Sequence, residues 1–421
     1  MKRTIVSICI ALFISISISA QNKKVNVTFF GSSVCKGAGA EDNHGYAHQL
    51  FHNNNSINTE KFKYFNASTG GDNTLRVERF DRLTKKLYPT NPNIVVIGLS
   101  LGNEGIGYPT NEIGRERIVE QFRSRLLTMA DSLHNQGMQP VIVNCYANTF
   151  FNDAQYNSTK KMNRIINTWD YPSINVLGTI DDGTGKWVDG FVNDPWHPSY
   201  EGHTEMSYAF VPSLFEAITQ GKKTPKLDWN PSFYTLKNEK AVTEALSFNV
   251  EHTMHSFSIS FKFKGVKDGS IAGFTANGER SEISTDFYYA KYKGLKEIYP
   301  KHQAKNWNHV VLSHNYANQR TQFFLNGKLV GEVKEQLSPS EIHFGGTAET
   351  MDIKDVCIYR SSLNEDEAQD LFENKFIQSS LEFYNPMTKP ISGKALENQA
   401  QSLSILKINT KVEFVHKNLK L

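Results

Sequence analysis

The chain has 421 residues, long enough for two or three domains, and a formal net charge of +3, of which Lys2 and Arg3 supply two. That near-balance gives no argument for nucleic acid, whose binders show concentrated basic surfaces. Four Cys in such a length exclude a disulfide framework; beyond residue 20 only Cys35, Cys145 and Cys357 remain.

Residues 1–20 read as a signal peptide. Lys2 and Arg3 form a positive n-region, Ile5 to Ile18 is mostly apolar, and Ser-Ile-Ser-Ala precedes Gln21. The stretch is short and Ser-rich for a membrane span, and no Cys follows the cleavage position. A secreted or periplasmic protein without a lipid anchor is expected, with no membrane span after cleavage.

Residues 21–221 alternate strand and helix signals. Val25–Phe30 is β-rich and ends at Gly31. Phe62–Asn66 is a second strand candidate. Ile94-Val95-Val96-Ile97 reads as a strand buried on both faces. Val141–Val143 and Ile174–Leu177 follow Pro140 and Pro172. Between them Ile118, Phe122, Met129 and Leu133 share a helical face closed by Gly137. Met162, Ile165, Ile166 and Trp169 mark another helix, and Met206, Phe210, Leu214 and Ile218 a third. Alternation of this kind predicts a parallel sheet between two layers of helices. Ligands of such sheets bind beyond the carboxyl ends of the strands.

Residues 222–232, with Lys222-Lys223-Thr224-Pro225, read as a linker. Residues 233–421 change to short alternating runs such as Phe257–Phe263, Val310–Leu312 and Gln322–Leu325. Asn326-Gly327 then gives a strong hairpin signal. One helix stands out, Glu365 to Glu373. This half is expected to be an all-β sandwich.

Four short blocks carry the chemistry. Ser33 follows a strand ending at Gly31, where its hydroxyl can face a cleft. A serine is a weak nucleophile until a base takes its proton. His197 in Asp194-Pro195-Trp196-His197 is the candidate base, and Asp194 can orient it from the same turn. Gly71, in Gly70-Gly71-Asp72-Asn73, and Asn103, in Gly102-Asn103-Glu104, are candidate oxyanion donors with the Ser33 N–H. Ser32 is the adjacent alternative nucleophile, and Cys35 reads as a packing residue.

Two other patterns compete. Gly98-Leu99-Ser100-Leu101-Gly102 matches a nucleophile elbow, which needs a helix directly after the Ser. Gly102, Gly105, Gly107 and Pro109 oppose one. His44, His48 and His52 share helical spacing, yet no Cys or carboxylate completes a zinc set. No metal and no cofactor are expected.

Together the four blocks resemble the SGNH (GDSL-type) hydrolase superfamily, marked by a Ser in Gly-Asp-Ser, a Gly, an Asn in Gly-x-Asn-Asp, and Asp-x-x-His. Here Ser32 replaces the Asp before the nucleophile and Glu104 the Asp after the Asn. The resemblance implies a three-layer α/β/α hydrolase domain and metal-free ester hydrolysis. It assigns Ser33, Asp194 and His197 to catalysis and Ser33, Gly71 and Asn103 to the oxyanion hole. The second half, through Trp307-Asn308-His309-Val310, Phe324-Leu325-Asn326-Gly327 and Val356-Cys357-Ile358-Tyr359-Arg360, resembles laminin-G-like, concanavalin A-like domains. That resemblance leaves glycan binding and a structural spacer open, and shows no acidic cluster for calcium.

The expected function is a secreted serine esterase that removes acyl groups, acetyl above all, from a polysaccharide or oligosaccharide. Open alternatives are a glycan-binding protein with an inactive hydrolase-like domain, a lipase or aryl esterase, and an acyltransferase on the same fold.

Overall fold

The computed structural model describes residues 24–53, 56–237, 244–266, 268–286, 289–298 and 306–417. The segment expected to be a signal peptide lies outside them.

The first half is built on five parallel strands: β1 (Val25–Gly31), β2 (Phe62–Asn66), β3 (Ile94–Gly98), β4 (Gln139–Val143) and β5 (Ser173–Ile174). Their spatial order is β2-β1-β3-β4-β5, all parallel. Side chains alternate between faces along each strand. Val27 and Phe29 therefore enter one apolar core, with Leu50, Met206, Phe210 and Phe215. Phe30, Val95 and Ile97 enter the opposite core, with Phe122, Leu126, Leu133 and Met162. Two helical layers thus sandwich the sheet, and the α/β/α expectation holds.

Two local expectations fail. Ile174–Leu177 is not one strand: β5 stops at Ile174, and a short helix spans Leu177–Ile180. Asn175 turns the chain there, because its N–H donates to the Ser380 hydroxyl and its Oδ1 accepts from the Gly178 N–H. The helix through Met206 and Ile218 is two helices, Tyr200–Tyr208 and Leu214–Thr219. Pro212 falls in the break, where its missing N–H and its ring forbid continuation.

The second half holds two antiparallel sheets. One runs Lys328–Lys334, Arg320–Leu325, Asn308–Asn315, Phe257–Lys264, Thr350–Tyr359, Phe233–Lys237 and Lys411–Val415, with Leu381–Asn385 paired to Thr350–Tyr359. The other centres on Asp268–Ala276, Glu279–Asp286, Pro339–Phe344 and Leu246–Asn249. Phe257, Ile259, Phe261, Leu312 and Phe323 of the first meet Phe248, Phe274, Ile283 and Phe344 of the second in one core. The Asn326-Gly327 hairpin forms as read, with positive φ at both residues and Leu325 opposite Lys328. The helix Glu365–Phe372 covers the outer face of the first sheet, packing Ala368 and Leu371 on Val311, Phe324 and Tyr359.

The halves are tied at β5, the edge of the parallel sheet. Ser380 N–H donates to Ser173 O (2.9 Å), and Ser173 and Ser379 hydroxyls meet at 2.6 Å. Asn167 Oδ1 accepts from Gln378 N–H, Ser379 N–H and the Ser379 hydroxyl, each at 2.9 Å. Arg164 grips Asp370 in two parallel bonds of 2.5 and 2.6 Å. Residues 222–232 carry no helix or strand, and Lys222 Nζ donates to the Asn398 and Ser402 carbonyls.

Candidate active site

The strand order reverses direction between β1 and β3, and such a switch point opens a crevice at the carboxyl ends of the strands. Gly31 and Gly98 end those strands side by side. A Cβ on Gly31 would sit 2.2 Å from Gly98 O, and one on Gly98 would sit 2.7 Å from the Tyr46 hydroxyl, so both must be glycine. The chain then turns straight into a one-turn helix, α1 (Ser33–Lys36), with Ser32 at its N-cap. This turn separates the two serines. Ser32 is fully buried, its hydroxyl 3.3 Å from that of Tyr146. Ser33 faces a cavity of about 420 Å³. As the first residue of a helix, it has an N–H without an intrahelical acceptor.

Gly71 and Asn103 line the same cavity. Gly70 passes close enough to Ser33 that a Cβ there would lie 3.9 Å from the serine Cβ. Gly71 has φ +74°, which favours glycine. Asn103 lies on α2 (Leu101–Glu104), a single turn after β3. The two loops are cross-linked. Asn103 Nδ2 donates to Asp72 O (3.0 Å), Asn73 Nδ2 to Asn103 O (3.0 Å), and Thr74 N–H to Glu104 Oε1 (2.5 Å). Burial raises the Glu104 carboxyl, against the opposing Thr74 hydrogen bonds. Arg82 pairs with buried Asp72 at 3.0 Å from behind.

His197 reaches the cavity from a two-stranded turn in which Asp194 faces it. Its Nδ1 lies 2.9 and 3.0 Å from the two Asp194 oxygens, leaving Nε2 as the nitrogen free of that carboxylate. Trp196 N–H also donates to Asp194 Oδ1 (2.8 Å). Burial pushes the Asp194 carboxyl up, but the hydrogen bonds from His197 and Trp196 outweigh it and hold the group below its ordinary value. Gly39, with φ +97°, lets the loop after α1 run beneath the imidazole, where a Cβ would sit 2.9 Å from His197 Cβ.

A helix does follow Ser100, contrary to the expectation from its glycines, because Gly105 closes it after one turn in the left-handed conformation. Ser100 also lines the cavity but is 2% exposed. Cys35 is buried, and burial raises its thiol above the ordinary value. His44 stacks on His48 with ring centroids 3.8 Å apart, and His52 lies tilted against His48 at 4.3 Å. Among the described residues no group of three His, Cys, Asp or Glu could hold a metal ion, and no helix is long and apolar enough to cross a membrane.

Four contributors escape a sequence reading. Tyr146 and Asn148 line the cavity from the loop after β4. Asn73 and buried His203 hold the loops in place. His203 accepts from Tyr46 N–H at Nδ1 (3.2 Å) and donates from Nε2 to Ala38 O (2.9 Å). The contacts that place them at the site reach far along the chain, from Tyr146 to Ser32, Asn148 to Gly185, Asn73 to Asn103 and His203 to Tyr46 and Ala38, so no local spacing announces them.

No protein-family model and no curated protein matches this chain. Among solved structures, a G-D-S-L family lipolytic protein from Desulfitobacterium hafniense DCB-2 is similar at 15% identity, with 44% of this chain and 97% of that chain covered and a TM-score of 0.36. The acetylxylan esterase Axe2 from Geobacillus stearothermophilus, in a catalytic mutant, is similar at 12% identity, 44% and 92% coverage and TM-score 0.36. A protein from Bacteroides ovatus ATCC 8483 named for carbohydrate binding is similar at 12% identity, 45% and 60% coverage and TM-score 0.34.

Proposed function

We propose that this chain is an exported serine esterase of the SGNH type that removes acetyl groups from a polysaccharide. One observation carries the reading: Ser33, Gly71, Asn103 and His197 line one cavity, with Asp194 bonded to the far side of the imidazole. In this mechanism Ser33 Oγ attacks the ester carbonyl carbon and passes its proton to His197 Nε2. The oxyanion is held by the N–H groups of Ser33 and Gly71 and by the Asn103 amide. Collapse breaks the bond to the sugar oxygen, which takes the proton from His197. Water, deprotonated by His197, then attacks the acetyl-enzyme and releases acetate and free Ser33. Asp194 fixes the imidazole tautomer and stabilises its charged form. The cavity of about 420 Å³ has room for an acetyl group together with part of the alcohol it esterifies.

In this reading the second half, whose sequence motifs resemble laminin-G-like domains, either holds the polymeric substrate or serves as a spacer. The test is acetate release from acetylated xylooligosaccharides and from an aryl acetate, by the protein and by Ser33→Ala. Release by the native protein alone is expected; equal release by both would overturn the assignment of Ser33.

A further inference from the structure

Ligand pockets are lined predominantly by hydrophobic and aromatic side chains, and two such rings meet in the open beside this cavity. Phe150 and Trp196 are 59% and 58% exposed. Their ring centroids lie 4.8 Å apart at an interplanar angle of 52°, so the two faces form an open corner. Tyr108, exposed further at 89%, shows the contrast of an aromatic without such a setting. Trp196 itself lines the cavity, between Asp194 and His197 in the chain. Phe150 sits between two cavity residues, Asn148 and Phe151. Its position is fixed by its own N–H, which donates to Asn148 Oδ1 (3.0 Å), while Phe151 N–H donates to Asn148 O (2.9 Å). Asn148 is anchored in turn through its N–H to Gly185 O (3.1 Å). The backbone that carries each ring is therefore held, that of Trp196 through the carboxylate that orients His197.

We propose that Phe150 and Trp196 form a stacking corner for the pyranose ring that carries the ester, a sugar-recognition subsite continuous with the acyl cavity. This rests on the esterase reading. The alcohol half of a bound ester must leave past His197, which gives it its proton, and the surface met there is Trp196. One face of a pyranose is a patch of weakly positive C–H groups, complementary to the negative face of an aromatic ring. A corner of two rings fits a ring-shaped alcohol better than a flexible chain. The subsite makes the enzyme discriminate by its leaving alcohol.

The test compares acetylated xylooligosaccharide with ethyl acetate, whose alcohol has no ring to stack. For Phe150→Ala/Trp196→Ala, kcat/KM on the sugar ester should fall roughly tenfold to hundredfold, chiefly through KM, and at least about tenfold more than on ethyl acetate. Trp196→Phe should restore most of the difference, which a merely structural loss would not allow. Equal losses on both esters, or none on the sugar ester, overturn the subsite. Binding is read separately by calorimetry on Ser33→Ala with and without the double substitution. A tenfold weaker association with the oligosaccharide supports the corner, and unchanged association overturns it. A native protein inactive on both esters would sink the esterase reading alone, since the binding comparison still decides the corner.

Discussion

Ser32 and Ser33 differ by one position and by everything in their surroundings. The turn after Gly31 buries the first against Tyr146 and opens the second to the cavity. At this scale the proposed mechanism makes a sharp demand on Asp194. Asp194→Asn keeps the shape but stabilises neither the required tautomer nor the imidazolium, so kcat should fall about 10³–10⁴-fold with little change in KM. A loss under tenfold in steady-state kinetics would remove Asp194 from the mechanism. His203 carries a separate prediction. Burial lowers its imidazole to about 4, and its Nδ1 is an acceptor, which protonation would abolish. The unfolded chain takes up that proton below about pH 6.5 while the folded chain stays neutral, so stability is full above 6.5 and declines as pH falls through 4. The loss from this group amounts to roughly 3 kcal/mol. Urea unfolding of His203→Gln, set against the native protein from pH 7 to pH 4, should show the shallower decline; parallel curves would refute the linkage. Ser33, Asp194 and His197 are legible as candidates because their motifs are local. His203 is not, because its role depends on Tyr46 and Ala38, brought to it by folding, and on Gly45, where a Cβ would lie 2.9 Å from its ring.

Elements were legible where one rule governs them. Ile94–Gly98 is apolar throughout and buried throughout, and Asn326-Gly327 supplies the two positive-φ residues of a tight hairpin. Elements shaped by the other half of the chain were not. The strand expected at Ile174–Leu177 ends early because Ser380 takes over its hydrogen bonding. Nothing near residue 174 encodes that partner. The same seam holds Asn167, whose side-chain oxygen receives two backbone N–H groups and a hydroxyl from Gln378 and Ser379. Asn167→Ala would strand the Gln378 and Ser379 N–H groups in a buried site. A cost of about 2–4 kcal/mol follows from leaving such groups unpaired. Denaturant midpoints followed by circular dichroism and by tryptophan fluorescence should fall together. A change under about 0.5 kcal/mol would mean that the seam relaxes around the loss.

At the scale of the molecule, the second half protects the first. An uncovered edge strand offers unpaired N–H and C=O groups to other chains. Here β5 is that edge, and Ser379 and Ser380 close it from the sandwich side. Ile174, Val211 and Leu214 lie at the same junction with Leu381 and Gln401, and the Arg164–Asp370 fork locks the helix Asp153–Ile166 to the helix Glu365–Phe372. Deleting residues 222–421 would therefore strip hydrogen bonds and apolar cover together. The remaining domain should melt about 10 °C or more below the full chain, since a few kcal/mol moves a domain of this size by that much. It should also associate through the bared edge. Calorimetry should find one cooperative transition in the full chain, and light scattering should find aggregates in the shortened one. A shortened protein that stays monomeric and melts at the temperature of the full chain would show the halves to be independent. Loss of activity on a polymeric ester after such a deletion says nothing about targeting unless ethyl acetate turnover survives, because an unfolding domain loses both. Only a protein that keeps its turnover of ethyl acetate and loses the polymer would assign the sandwich a role in substrate capture.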